Sequence, residues 1–112
     1  MRPLYTDLQH EEFHIILLNR ASEVIAIRQI SIGGIAGTYV DPKIIFKIAI
    51  NFGASALILA HNHPSGTCRP SYSDEELTRR IKAFGELIEM PVLDHIIVTD
   101  NGYFSFSDNA IL

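Results

Sequence analysis

The chain has 112 residues, 47% of them hydrophobic, which suffices for one compact domain with one apolar core but not for two. A formal net charge of −4 argues against a surface that mainly neutralises phosphates, so nucleic acid is not an expected partner. Cys68 is the only cysteine and excludes an intrachain disulfide. With no secretory signal and no apolar run long enough to span a membrane, the domain is expected to be cytoplasmic.

The first two predicted elements are strands that form a hairpin. Residues 13–18 (FHIILL) are an apolar run too short for an ordinary helix and typical of a buried strand. After a turn at residues 19–22, residues 23–31 (EVIAIRQIS) alternate in a way that suits an antiparallel partner strand.

A helix is predicted next. Three glycines between residues 33 and 37 interrupt the strand pattern and are interpreted as turn residues, because they match no phosphate-binding glycine motif. Asp41 can cap the helix, Pro42 suits its first position, and Gly53 stands where a helix commonly ends. The segment is apolar on nearly every side, so we expect it to be packed between other elements.

The rest of the chain predicts one strand, one helix and a second hairpin. Residues 55–61 (SALILAH) are typical of an interior strand of a mixed sheet. Ser71 or Ser73 then caps a helix that runs to about residue 89 with one apolar stripe. Residues 91–100 form a strand, and Asp-Asn-Gly is a turn signal before the last strand. This order predicts an α/β fold: a mixed β-sheet flanked by helices in an α/β/α sandwich.

The residues that carry chemistry follow the third strand. In an extended segment, residues two apart point to the same side, so His61 and His63 can present both imidazoles to one point. Asp74 stands at the start of the second helix, and the intervening loop is long enough to fold it back. Two imidazoles and a carboxylate leave the fourth position of a tetrahedral zinc to water, as in catalytic sites. On these residues alone, the alternative is a pair of ordinary polar histidines at a strand end.

A longer pattern connects these residues to a known family. His61, His63, Ser71 and Asp74 match the H-x-H-x(7)-S-x(2)-D signature of the JAMM metallopeptidases, also called MPN or JAB. The HNHPSG string that begins at His61, together with the later LDH string, resembles the RadC family in particular. The resemblance covers nearly the whole chain. It implies the cytidine-deaminase-like fold of JAMM domains, a zinc ion held by both histidines and Asp74, and an upstream acidic residue as general acid/base.

The resemblance also implies further roles. In RadC-like sequences the acidic residue stands two positions before a phenylalanine at the start of the first strand, which is Glu11 here. Its neighbour Glu12 is the alternative and would point to the opposite side of the strand. Ser71 would donate to the oxyanion of the reaction, whereas plain helix capping is its alternative. RadC proteins usually carry an upstream helix-hairpin-helix segment, which these residues lack, so we expect a single RadC-like JAMM domain over residues 1–112.

Together these features predict a zinc-dependent hydrolase of a peptide or isopeptide amide, with a peptide or protein substrate. Asp94 and His95 form a polar pair in an apolar strand and are interpreted either as supports for the metal ligands or as a structural pair. The alternative function is a non-catalytic, metal-containing interaction module associated with DNA repair or DNA processing. A nuclease is disfavoured by the acidic charge, and a zinc nucleobase deaminase by the absence of its H-x-E and P-C-x-x-C signature.

Overall fold

A computed structural model of the chain describes residues 11–32, 40–63, 68–100 and 102–112. Within them, the elements follow the predicted order: β1 (Glu12–Leu18), β2 (Val24–Ile32), α1 (Pro42–Asn51), β3 (Ala56–Asn62), α2 (Tyr72–Leu87), β4 (Val92–Thr99) and β5 (Gly102–Ser105). The three glycines interpreted as turn residues lie outside the described residues.

The strands form one mixed sheet in the order β2-β1-β3-β4-β5. β1 pairs antiparallel with both β2 and β3, and β4 pairs antiparallel with β5. β3 and β4 are parallel neighbours, and the chain passes through α2 between them, as a parallel pair requires. The predicted α/β class with a mixed sheet and two hairpins is therefore confirmed. The parallel pairing also brings the carboxyl ends of β3 and β4 side by side.

Helix α1 begins and ends where its sequence predicts. The side chain of Asp41 accepts a hydrogen bond from the N–H of Lys43 at 2.9 Å, and Pro42 opens the helix. After the helix, Gly53 has a φ of 68°, in the left-handed region that glycine enters without steric cost. Neither α1 nor α2 is long and apolar enough to cross a membrane.

Both faces of the central strands are apolar. Side chains from β1, β3, α1 and α2 form the larger cluster, which includes Phe13, Ile15, Leu17, Ile45, Phe46, Leu57, Leu59 and Ile81. The alternate side chains of β1 and β3 join β4 in a second cluster, which includes Ile16, Leu18, Ala60 and Val98. Because both sides of β1 and β3 are buried, these strands are continuous apolar runs in the sequence.

The expectation that α1 is packed between other elements is wrong. Ile45 and Phe46 are buried in the larger cluster, but Ile44 is 48% and Ile50 is 59% exposed. Among the described residues, the helix contacts the core along one stripe, and Ile44 and Ile50 lie off that stripe and face outward. Single exposed apolar side chains are common on protein surfaces, so the apolar composition of α1 was not sufficient evidence that the helix is enclosed.

Candidate metal centre

Four ionisable side chains converge at the carboxyl end of β3. They are Glu11, His61, His63 and Asp74, and one ligand atom of each lies within 4.8 Å of the others. Glu11 directly precedes β1, the histidines come from the end of β3, and Asp74 belongs to the first turn of α2. The fold thus brings the predicted ligand set and the predicted acidic residue together.

The end of β3 positions the two histidines. His61 is buried within the strand, and His63 follows it with its backbone N–H donating to the carbonyl of Val98 at 3.1 Å. Their Nε2 atoms are 2.9 Å apart, as their spacing of two along an extended segment predicted. Between them, the side-chain oxygen of Asn62 accepts a hydrogen bond from the N–H of Glu12 at 2.6 Å.

Asp74 takes part in a capping box at the start of α2. The hydroxyl oxygen of Ser71 accepts from the N–H of Asp74 at 3.1 Å, and Oδ2 of Asp74 accepts from the N–H of Ser71 at 2.8 Å. Ser71 is therefore the cap, not Ser73. The same carboxylate reaches the histidines, with Oδ1 3.3 Å from His61 Nε2 and Oδ2 3.1 Å from His63 Nε2.

The surroundings of Asp74 keep its carboxylate ionised. Burial raises the pKa of this group. The hydrogen bonds with His61, His63 and the backbone N–H of Ser71 together lower the pKa by more than burial raises it. The net pKa lies well below the ordinary value for an aspartate. A negative oxygen is thus available as a ligand at neutral pH.

The distances between the donor atoms suit one metal ion. With bonds of about 2.0–2.1 Å around a tetrahedral ion, neighbouring ligand atoms lie about 3.3 Å apart. The two Nε2 atoms and the carboxylate oxygens are separated by 2.9, 3.1 and 3.3 Å. Oε1 of Glu11 lies farther out, 4.0 Å from His61 Nε2. The cluster could therefore hold a metal ion through its three close donors, with Glu11 beside it.

The two neighbouring glutamates have different surroundings. Glu11 lies against the cluster, whereas Oε1 of Glu12 is 3.9 Å from His14 Nε2. This separation agrees with the opposite orientations expected for adjacent residues at a strand start. Of the two residues considered for the general base, Glu11 is the one that the fold brings to the metal cluster.

Comparison with known proteins identifies the family. A family model described as the RadC-like JAB domain matches residues 1–111. The chain belongs to this family.

Two similar curated relatives are each called UPF0758 protein. The one from Flavobacterium johnsoniae is 47% identical over 111 residues, covering 99% of this chain and 48% of the relative. The one from Porphyromonas gingivalis is 44% identical over 111 residues, covering 98% and 49%. The chain spans about half the length of the curated relatives it matches.

Within this RadC-like JAB domain, a buried polar chain lies behind His61. Nδ1 of His61 is 2.7 Å from Nε2 of His95, and Nδ1 of His95 is 2.5 Å from Oγ1 of Thr78. Thr78 in turn donates to the backbone carbonyl of Asp74 at 2.7 Å. Burial, followed by the nearby His61, lowers the pKa of His95 well below its ordinary value. His95 is therefore a neutral imidazole at pH 7.

The predicted pair Asp94 and His95 divides into two roles. The carboxylate of Asp94 accepts from the backbone N–H groups of His95 and Ser107 at 2.7 and 2.9 Å, so it holds the C-terminal turn of the JAB domain. His95 alone contacts a histidine of the cluster. The sequence did not predict a role for Thr78. A threonine inside a helix can commonly bond to the carbonyl four residues earlier, so its local sequence does not distinguish it.

Proposed function

We propose that this domain is a zinc-dependent hydrolase that cleaves a peptide or isopeptide amide bond. The convergence of Glu11, His61, His63 and Asp74 at the end of β3 carries the proposal. Both histidines and Asp74 would hold the zinc, because two imidazoles and one carboxylate are a donor set of catalytic zinc sites. Zinc in such a site supplies Lewis acidity, which polarises an amide carbonyl and acidifies a water molecule.

Glu11 is the general acid/base in this proposal. Its carboxylate is beside the three donors but farther from His61 Nε2 than Asp74 is, at 4.0 Å against 3.3 Å. The side chain remains partly exposed, so a water molecule and a substrate can reach it. Oε1 of Glu11 takes a proton from the attacking water and passes it to the nitrogen of the leaving amine.

Ser71 can combine its capping role with a catalytic one. In the capping box its oxygen accepts the N–H of Asp74, which uses a lone pair and leaves the hydroxyl proton. That proton is the donor that we assign to the oxyanion of the tetrahedral intermediate. Capping and transition-state stabilisation are therefore compatible at this residue.

The substrate class rests on the resemblance to the JAMM metallopeptidases, whose complete signature is present in the chain. A peptide or isopeptide amide is a substrate on which each assigned group has a chemical role. The carbonyl is polarised, its oxygen is stabilised by Ser71, and the poor amine leaving group is protonated by Glu11.

The test compares two adjacent glutamate variants on zinc-loaded protein. The substrate is a fluorescence-quenched peptide library that contains linear amides and isopeptide amides on lysine. Glu11→Gln should keep one zinc per chain and lower the hydrolysis rate by about 10²–10⁴-fold, the usual loss on removing a general acid/base. Glu12→Gln removes the same charge one position along, near His14, and should keep the wild-type rate.

The possible outcomes of this test lead to different conclusions about the general base and about catalysis. Activity lost in Glu12→Gln and retained in Glu11→Gln would move the base to Glu12, and an unchanged rate in both would overturn the mechanism. Zinc-loaded wild-type protein that turns over no member of the library would favour the non-catalytic interaction module.

A further inference from the structure

We infer that Thr78 and His95 are positioning residues that hold His61 in the tautomer able to bind a metal ion. The inference rests on the proposed metal site for its biological meaning. It is carried by the direction of three consecutive hydrogen bonds, which link Nδ1 of His61 to the backbone of Asp74.

The direction is set at the far end of the chain. The backbone carbonyl of Asp74 can only accept, so Thr78 must donate its single hydroxyl proton there. With that proton used, Oγ1 of Thr78 can only accept from Nδ1 of His95. Nδ1 of His95 therefore carries the hydrogen.

The direction then passes through His95 to His61. His95 is fully buried, with its ring stacked on Phe106 at 4.6 Å between centroids and in a T-shaped contact with Phe13 at 5.7 Å. These apolar walls favour the neutral ring, whose second nitrogen has a free lone pair. Nε2 of His95 thus accepts, and Nδ1 of His61 donates to it.

The consequence appears at the other nitrogen of His61. Because Nδ1 of His61 keeps its hydrogen for the bond to His95, Nε2 is the nitrogen whose lone pair is available to a metal ion. That Nε2 atom faces His63 Nε2 and the carboxylate of Asp74. A metal-binding histidine needs this state, in which one nitrogen binds the ion and the other donates to a fixed partner.

The first turn of α2 therefore acts on the cluster twice. The side chain of Asp74 is one proposed ligand, and its backbone carbonyl fixes the orientation of another ligand through Thr78 and His95. Without the hydroxyl of Thr78, His95 could reverse its tautomer and donate to His61, which would place a hydrogen on the Nε2 atom of His61.

Zinc affinity gives the first test, measured by competition with a chromophoric chelator at pH 7. Thr78→Val keeps the shape of the side chain and removes the hydroxyl, so zinc should bind about 10–100-fold more weakly. Thr78→Ser restores the hydroxyl and should return the affinity to near the wild-type value. Ile45→Val serves as a control for general destabilisation, because Ile45 is a core residue of α1 outside the hydrogen-bonded chain.

The second test needs no metal. In ¹⁵N NMR of metal-free wild-type protein, Nδ1 of His61 should carry a hydrogen, and Thr78→Val should measurably lower the fraction of molecules in which it does. A wild-type His61 that carries no hydrogen on Nδ1 would overturn the inference. So would a folded Thr78→Val variant with unchanged tautomer and zinc affinity. If wild-type protein binds no zinc, the proposed function fails, while the tautomer measurement still decides the inference.

Discussion

At the scale of single residues, His63 is the ligand with the simplest test. It lies just beyond β3, partly exposed, and its Nε2 atom meets both His61 and Asp74. His63→Ala should therefore remove a donor while leaving the buried strands intact. We expect about one zinc per chain in wild-type protein and little after dialysis in this variant, measured by elemental analysis, because a three-ligand site loses most of its affinity with one ligand.

His14 provides the matched control for that experiment. It is a buried histidine of β1 whose Nε2 atom lies near Glu12 rather than in the cluster. His14→Ala should retain zinc even if it lowers stability. Full zinc occupancy in His63→Ala, or an equal loss in both variants, would contradict the ligand assignment.

At the scale of elements, the start of α2 combines a helix cap with a proposed catalytic donor, and two substitutions of Ser71 separate them. Ser71→Ala removes both roles, so stability should fall by about 1 kcal/mol, and hydrolysis by about 10²–10³-fold. Ser71→Gly should cost only a few tenths of a kcal/mol, roughly, because glycine is an acceptable cap. Its hydrolysis should fall as far as that of Ser71→Ala.

Urea unfolding and the peptide-library assay measure the two effects. Ser73→Ala is the control, since Ser73 is exposed in the first turn and does not cap the helix. Wild-type hydrolysis in Ser71→Gly would reduce Ser71 to a capping residue alone.

The elements also show how far sequence reasoning reaches. Local signals predicted the order of the seven elements in the described part of the chain, because Asp41 and Ser71 are caps and β1 and β3 are continuous apolar runs. The convergence of His61, His63 and Asp74 was predicted from strand periodicity, a helix start and the resemblance to the JAMM signature. Tertiary packing decided the rest. The packing of the helices on the sheet decides which sides of α1 are exposed. It also brings Thr78 into contact with His95.

At the scale of the whole molecule, two buried histidines link stability to pH. Burial lowers the pKa of His14, an effect that nearby Glu12 opposes, and burial also lowers the pKa of His95. Below the ordinary histidine pKa of 6.5, the unfolded chain therefore binds more protons than the folded one. The contribution of these two histidines to the free energy of unfolding should be fully present above about pH 6.5. It should decrease as the pH falls towards their lowered pKa values in the folded state. The depressed pKa of Asp74 adds no slope there, since this group titrates below pH 4 in both states.

Urea unfolding of metal-free protein at pH 7.5, 6.5 and 5.5, with a chelator present, measures this dependence. The free energy of unfolding should decrease between pH 6.5 and 5.5, and His14→Gln should show a smaller decrease. Stability that is constant or rises on acidification would contradict the burial effect on these groups.

The capping box at α2 has one more consequence, which concerns entropy. A free aspartate side chain samples several rotamers, and ordering it for a ligand role costs free energy at the moment of binding. Here the N–H of Ser71 already holds Oδ2 of Asp74 at 2.8 Å, in the conformation that faces the histidines. The ordering cost of this ligand is thus met when the helix folds. An ion that arrives meets a preorganised carboxylate, so a larger part of its interaction energy is expressed as affinity.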